Sequence, residues 1–169
     1  MQPKWVFYFN ITECYVLTEV FLCREEQLIY DLIRLREEHD NLAAIAGRLS
    51  EIIAKDAPPP SRELYKLRME LASALAHHLK SEDWMLYPRL LVSSDKRLGD
   101  IARAFCKEMG GLASAFRDYA AQWGAHAIWG DWERYQRETA EIIKALTLRM
   151  AREEHDLYPL LEVAGRVAA

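Results

Sequence analysis

A segment of this chain occurs twice. Residues 78–91 read HLKSEDWMLYPRLL, and residues 149–162 read RMAREEHDLYPLLE. With the two Leu-Tyr-Pro triplets superposed, Leu86-Tyr87-Pro88 falls on Leu157-Tyr158-Pro159, Glu82 on Glu153, Asp83 on Glu154 and His78 on Arg149. A repeat of this kind implies a pseudo-symmetric object whose halves pack against each other. Because it carries carboxylates at matched places, the halves are expected to meet at an acidic site. The copies are also unequal. His-x-x-x-Glu in the first can bind a metal, whereas Arg-x-x-x-Glu in the second has a permanent cation where the ligand would be.

The rest of the chain reads as helices. Apolar residues recur at steps of three and four in four stretches, the period of a helix with one buried face. The first runs from about 24 to 54, with Leu28, Leu32, Leu35, Leu42, Ile45, Leu49 and Ile53 on its stripe. Asp56-Ala57-Pro58-Pro59-Pro60 stops it, since proline removes a backbone donor and disfavours helix in the residue before it. Ser61 is expected to cap the second helix, with Glu63 in its first turn. That helix carries Leu64, Leu67, Leu71, Leu75 and Leu86, with a kink or break at Pro88. The third spans about 96 to 122, with Leu98, Ile101, Phe105, Leu112, Phe116 and Tyr119 on its stripe. Residues 123–130 read as a loop, and Asp131 as the cap of a fourth helix carrying Tyr135, Ile142, Leu146, Leu157 and Leu160. Long amphipathic helices joined by short links predict an all-α, antiparallel up-down-up-down four-helix bundle. The domain division expected is an apolar N-terminal extension over 1–23 and the bundle over 24–169.

Composition narrows the partners. A chain of 169 residues fits one domain. A net charge of -4 and a pI near 5.8 supply no electrostatic footprint for nucleic acid. Cys14, Cys23 and Cys106 are odd in number and show no Cys-x-x-Cys spacing, which reads as free thiols in a reducing, cytoplasmic setting. Residues 5–22, WVFYFNITECYVLTEVFL, are apolar and aromatic, but Asn10, Thr12, Glu13 and Glu19 interrupt them. A membrane span needs about 20 apolar residues, so no membrane partner is expected. The segment reads as one that packs on the bundle or on a second copy of the chain in a homodimer.

The polar residues on the apolar stripes carry the chemistry. The first stripe passes from Leu35 through His39 to Leu42. The second passes from Leu75 through His78 and Glu82 to Leu86. The third passes through Phe105, Met109 and Leu112. The fourth passes from Leu146 through Arg149 and Glu153 to Leu157. Six inward residues are therefore expected at one level: His39, His78, Glu82, Met109, Arg149 and Glu153. A lone histidine on an apolar face is ordinarily a satisfied core residue, and a methionine there is ordinarily a filler. Two carboxylates buried together are costly unless something positive lies between them. The sequence offers a metal ion or Arg149 for that role. His77, His126 and His155 fall off the stripes and are expected to be exposed.

These residues resemble the hemerythrin-like, or HHE cation-binding, family. The resemblance covers about residues 25–163. It rests on Glu38-His39, on His78-x-x-x-Glu82-Asp83-x-x-Leu86-Tyr87-Pro88, and on Glu153-Glu154-x-x-Leu157-Tyr158-Pro159. It implies a non-haem di-iron pattern inside a four-helix bundle, with a histidine from the first and third helices and His-x-x-x-Glu from the second and fourth. Members bind or sense oxygen, iron or nitric oxide, and some act in the stress response. Carried over residue by residue, His39, His78, Glu82 and Glu153 stand at metal-ligand positions. Met109 and Arg149 stand where the other two histidines belong.

Both losses fall on one half of the family's site. The resemblance therefore implies at most one metal per chain, iron or zinc, in metal or small-gas binding or sensing. The alternative is a metal-free pseudo-hemerythrin scaffold in which Arg149 neutralises Glu82 and Glu153. A mononuclear iron enzyme is a third reading, but the sequence marks no substrate pocket and no catalytic residue.

Overall fold

A computed structural model describes the backbone of residues 25–92 and 95–167, and their side chains except those of 25–29, 109–110 and 164–167. The expectations for residues 1–23, Leu28, the Met109 side chain, Cys14 and Cys23 lie outside the described residues. In chain order the elements are α1 (Glu25–Ile53), α2 (Ser61–Ser81), a first π turn (Glu82–Leu86), α3 (Tyr87–Leu91), α4 (Lys96–Gln122), α5 (Ala125–Gly130), α6 (Trp132–Arg152), a second π turn (Glu153–Leu157) and α7 (Tyr158–Val167). No strand occurs among the described residues.

Ion pairs and hydrogen bonds at the ends of the helices give their directions. Arg48 pairs with Glu70 and Arg89 with Asp31, each at 2.9 Å, so α1 and α2–α3 are antiparallel. Trp132 and Gln136 donate to the carbonyls of Lys55 and Ile53 beyond and at the end of α1. Arg36, near the start of α1, pairs with Glu162 of α7. Hence α1 and α6–α7 are antiparallel too. Tyr119 bonds Thr139, while Arg152 pairs with Glu108, which sets α4 against α6 in the same sense. The result is the expected up-down-up-down bundle.

The core is two apolar blocks with a polar layer between them. One block gathers Leu32, Leu35, Leu86, Leu90, Phe105 and Leu157. The other gathers Leu42, Ile45, Leu71, Leu75, Leu146 and Met150. Fully burying a leucine contributes about 1.5–3 kcal/mol, so these blocks supply most of the drive to fold. Along α1 the switch from one block to the other is marked by a single residue, His39.

Four local expectations need correction. Helix resumes through Pro88, and likewise through Pro159, instead of breaking there. Each lacks an N–H, and its ring crowds the carbonyl four residues back. The backbone widens by one residue per turn instead, and Tyr87 N–H donates to Glu82 O, as Tyr158 N–H does to Glu153 O. A π turn of this kind is common at functional sites. Here each one begins at a carboxylate of the polar layer. Ser61 is the first helical residue rather than the cap, since Pro60 occupies the cap position and no side chain closes it. Residues 125–130 form the short helix α5 instead of a loop. At the end of α1 it is Ile52 that is buried, with Ile53 only partly so. Asp131 caps α6 as expected, accepting from Arg134 N–H at 3.1 Å.

Candidate metal centre

The polar layer is built from three strands of sequence logic. A step of three or four keeps His39 on the buried stripe of α1. The same step puts His78 and Glu82 together on α2 and its π turn. On α6 it brings Arg149 and Glu153 together. All five are buried, and Glu82 and Glu153 are fully so. His77, His126 and His155 are exposed, as expected.

The two histidines face each other. His39 Nε2 lies 3.2 Å from His78 Nε2 and 3.2 Å from Glu153 Oε2. His78 Nε2 lies 3.7 Å from Glu82 Oε2. One ligand atom from each of His39, His78 and Glu153 falls within 4.8 Å of the others. Tyr158 places its hydroxyl 3.4 Å from His39 Nε2, and its ring lies nearly parallel to the imidazole.

The outer nitrogens of both rings are held by carboxylates. His39 Nδ1 is 2.8 Å from Glu154 Oε1, and Arg36 holds the other Glu154 oxygen at 3.1 Å. His78 Nδ1 is 3.1 Å from Glu38 Oε2, and Ser81 donates to Glu38 Oε1 at 2.9 Å. An ionised carboxylate only accepts, so each Nδ1 carries a hydrogen and donates it. When neutral, both rings then turn bare Nε2 lone pairs inward. Lone pairs and carboxylate oxygens facing one another are what a cation stabilises.

Arg149 does not sit evenly between the two carboxylates. Its Nε donates to Glu153 Oε1, one Nη to the Phe105 carbonyl at 3.2 Å and the other to the Tyr87 hydroxyl. Its guanidinium lies 4.4 Å from the centroid of the Phe105 ring, a cation–π contact. Glu108 lies 3.8 Å from the Nη that donates to the Phe105 carbonyl. Of the carboxylate pair, Arg149 hydrogen-bonds Glu153 alone, while its charge acts on both Glu153 and Glu82. Among the described residues no donor reaches either oxygen of Glu82.

The protonation pattern follows. Burial, and then the charge of Glu153, push Glu82 well above the ordinary carboxylate range. Burial pushes Glu153 the same way, but His39, Arg149 and the Glu82 proton outweigh it and hold Glu153 low. Burial acts to lower the pKa of His39, and Glu153 and Glu154 outweigh it and raise it. Without a metal, the layer thus keeps protons where a cation would otherwise sit. Arg149 stays charged because Glu153, Tyr87 and Glu82 outweigh its burial.

Sequence reasoning missed the outer carboxylates Glu38, Glu154 and Glu108 as functional residues. They stand one position off the buried stripes, and Glu38 and Glu154 entered only within the motifs that carry the resemblance. The available signal was adjacency, since Glu38 precedes His39, Glu108 precedes Met109 and Glu154 follows Glu153.

The family model of the hemerythrin HHE cation-binding domain matches residues 10–90 and residues 31–161. Comparison with curated proteins and with solved structures gives no significant match. The longer stretch spans most of the chain and includes both histidines and both buried carboxylates, and on that footing the chain belongs to the hemerythrin HHE cation-binding domain family.

Proposed function

We propose that this protein binds one divalent transition metal per chain, through His39, His78 and Glu153 with Glu82 as the additional carboxylate. The observation that carries the reading is Glu82. Fully buried, Glu82 has no partner but the proton it shares with Glu153, a costly arrangement that a cation between the two carboxylates would relieve by displacing that proton. Two imidazoles and carboxylate oxygen suit iron(II), and also zinc. Bound there, such a metal supplies a Lewis-acidic, and for iron redox-active, centre.

Arg149 fills the other half of the site. Its charge repels a second cation, and its bond to Glu153 occupies a carboxylate oxygen that a second cation would need. The function that suits this arrangement is metal or small-gas sensing rather than the two-electron chemistry of paired irons. The cavity touching His78, Arg149 and Glu153 has a volume of about 10 Å³ and is otherwise walled by leucines and Met150. That is room for about one water-sized ligand. No helix among the described residues is long and apolar enough to cross a membrane.

The test is zinc or cobalt(II) binding by the metal-free protein. His39→Ala and His78→Ala are expected to abolish tight binding, and His126→Ala, at an exposed position of α5, to leave it intact. Equal binding by all three variants would refute this site.

A further inference from the structure

The geometry points to Glu38 and Glu154 as positioning residues that set the tautomer and aim of His78 and His39, with Glu108 the corresponding anchor of Arg149. This rests on the metal-binding reading above and adds the residues that make the inner ligands competent.

The two clasps cross between helices. Glu38 lies beside His39 in sequence, yet it holds His78 on α2 at 3.1 Å. Glu154 lies beside Glu153, yet it holds His39 on α1 at 2.8 Å. Consecutive helical residues point about a quarter-turn apart, so the neighbour of an inward ligand faces the adjoining helix. Each carboxylate is itself fixed from its far side, Glu38 by Ser81 and Glu154 by Arg36. Each carboxylate accepts from the outer nitrogen of its buried histidine, which leaves the opposite nitrogen of the neutral ring bare and aimed inward. Second-partner carboxylates of this kind set ligand tautomer and basicity in metal sites generally.

The pseudo-symmetry of the bundle gives independent support. The tandem match that puts Arg149 opposite His78 also puts Arg152 opposite Ser81. On α1 and α4, Glu108-Met109 takes the place of Glu38-His39. In the first half Ser81 and His78 both bond Glu38. In the second half Arg152 and Arg149 both reach Glu108. The half that lost its histidines keeps a carboxylate at the matching place, hydrogen-bonded by Arg152 with Arg149 3.8 Å away, so the position belongs to the architecture of the site and not to one ligand.

Nitrogen NMR of the imidazoles, with zinc binding measured in parallel, tests this. In alkaline buffer the metal-free parent should show His39 and His78 as Nδ1–H tautomers. Glu38→Ala should release His78, and Glu154→Ala should release His39, toward the Nε2–H form ordinary for free histidine. Zinc affinity should fall about 10–100-fold in each. Glu38→Gln keeps an acceptor at lower cost to folding, and it should retain the tautomer with a smaller loss of affinity. Glu37→Ala, an exposed neighbour, should change neither. A parent that binds zinc while both alanine variants keep their tautomers and affinity would overturn the positioning role alone. A parent that binds no zinc, yet loses its tautomers in the alanine variants, would uphold the clasps and remove the metal reading.

Discussion

Arg149 donates its Nε proton to one oxygen of Glu153, while the other oxygen of the same carboxylate stands 3.2 Å from His39 Nε2. Glu153 is thereby divided between a permanent cation and the histidine half of the layer. Its pseudo-symmetric partner Glu82 has no such division, since no described donor reaches it. The asymmetry of the repeat, one histidine exchanged for one arginine, thus becomes an asymmetry of charge across a buried carboxylate pair.

Arg149→Ala should destabilise the fold. It strips a permanent charge and its hydrogen bond from a buried carboxylate, a loss of about 3–5 kcal/mol in comparable buried pairs. Urea unfolding of the metal-free protein measures it, and added zinc should recover part of the loss by binding the native state. A midpoint equal to the parent's would mean that Glu153 does not depend on Arg149.

Glu82→Gln should do the reverse in metal-free protein. The amide keeps a donor toward Glu153 without the proton uptake that burying Glu82 requires, so stability at neutral pH should rise by about 1–3 kcal/mol. Metal affinity should fall in the same variant. Gain of stability with unchanged affinity would take Glu82 out of the ligand set.

Rebuilding the missing half should admit a second metal. Met109→His with Arg149→His restores the family's ligand types, and Glu108 is already in place to hold the new residue 149. The double variant should take up two metals per chain, and adding Glu108→Ala should weaken the second site. A double variant that takes up no second metal would show that Arg149 is not what blocks it.

The metal-free protein should be most stable in weakly acidic buffer. Folded Glu82 keeps a proton that the unfolded chain loses above 4.5, so its contribution is lost as pH rises from there. His39 has a raised pKa as well, and its contribution is lost as pH rises above 6.5. Glu153 is held low, so its contribution is lost as pH falls below 4.5. The urea midpoint should be highest near pH 4.5, decline from there as Glu82 titrates in the unfolded chain, and decline more steeply above 6.5. Saturating zinc should remove the decline. A midpoint that climbs steadily through neutral pH without metal would contradict the assigned protons.

Much of this was legible because burial periodicity is coarse and robust. The stripes carried His39, His78, Glu82, Arg149 and Glu153 to one level, and the structure puts all five in the buried layer. What escaped lies below that resolution. The π turns escape because a period of 3.6 does not register one inserted residue, although Pro88 and Pro159 mark where it is needed. Glu38, Glu108 and Glu154 escape because a half-buried carboxylate beside a ligand has the same spacing as a solvated one. The choice of Arg149 for Glu153 over Glu82 turns on a step of four within α6 and its π turn, against a contact between helices that no sequence pattern reports.

The central claim is one metal position kept and one filled by Arg149. Metal content per chain tests it most directly, measured by elemental analysis after anaerobic loading with excess iron(II) and removal of unbound ion. The account predicts close to one iron per chain in the parent and none in His39→Ala with His78→Ala. Two irons per chain in the parent would contradict it, and so would a parent that retains none.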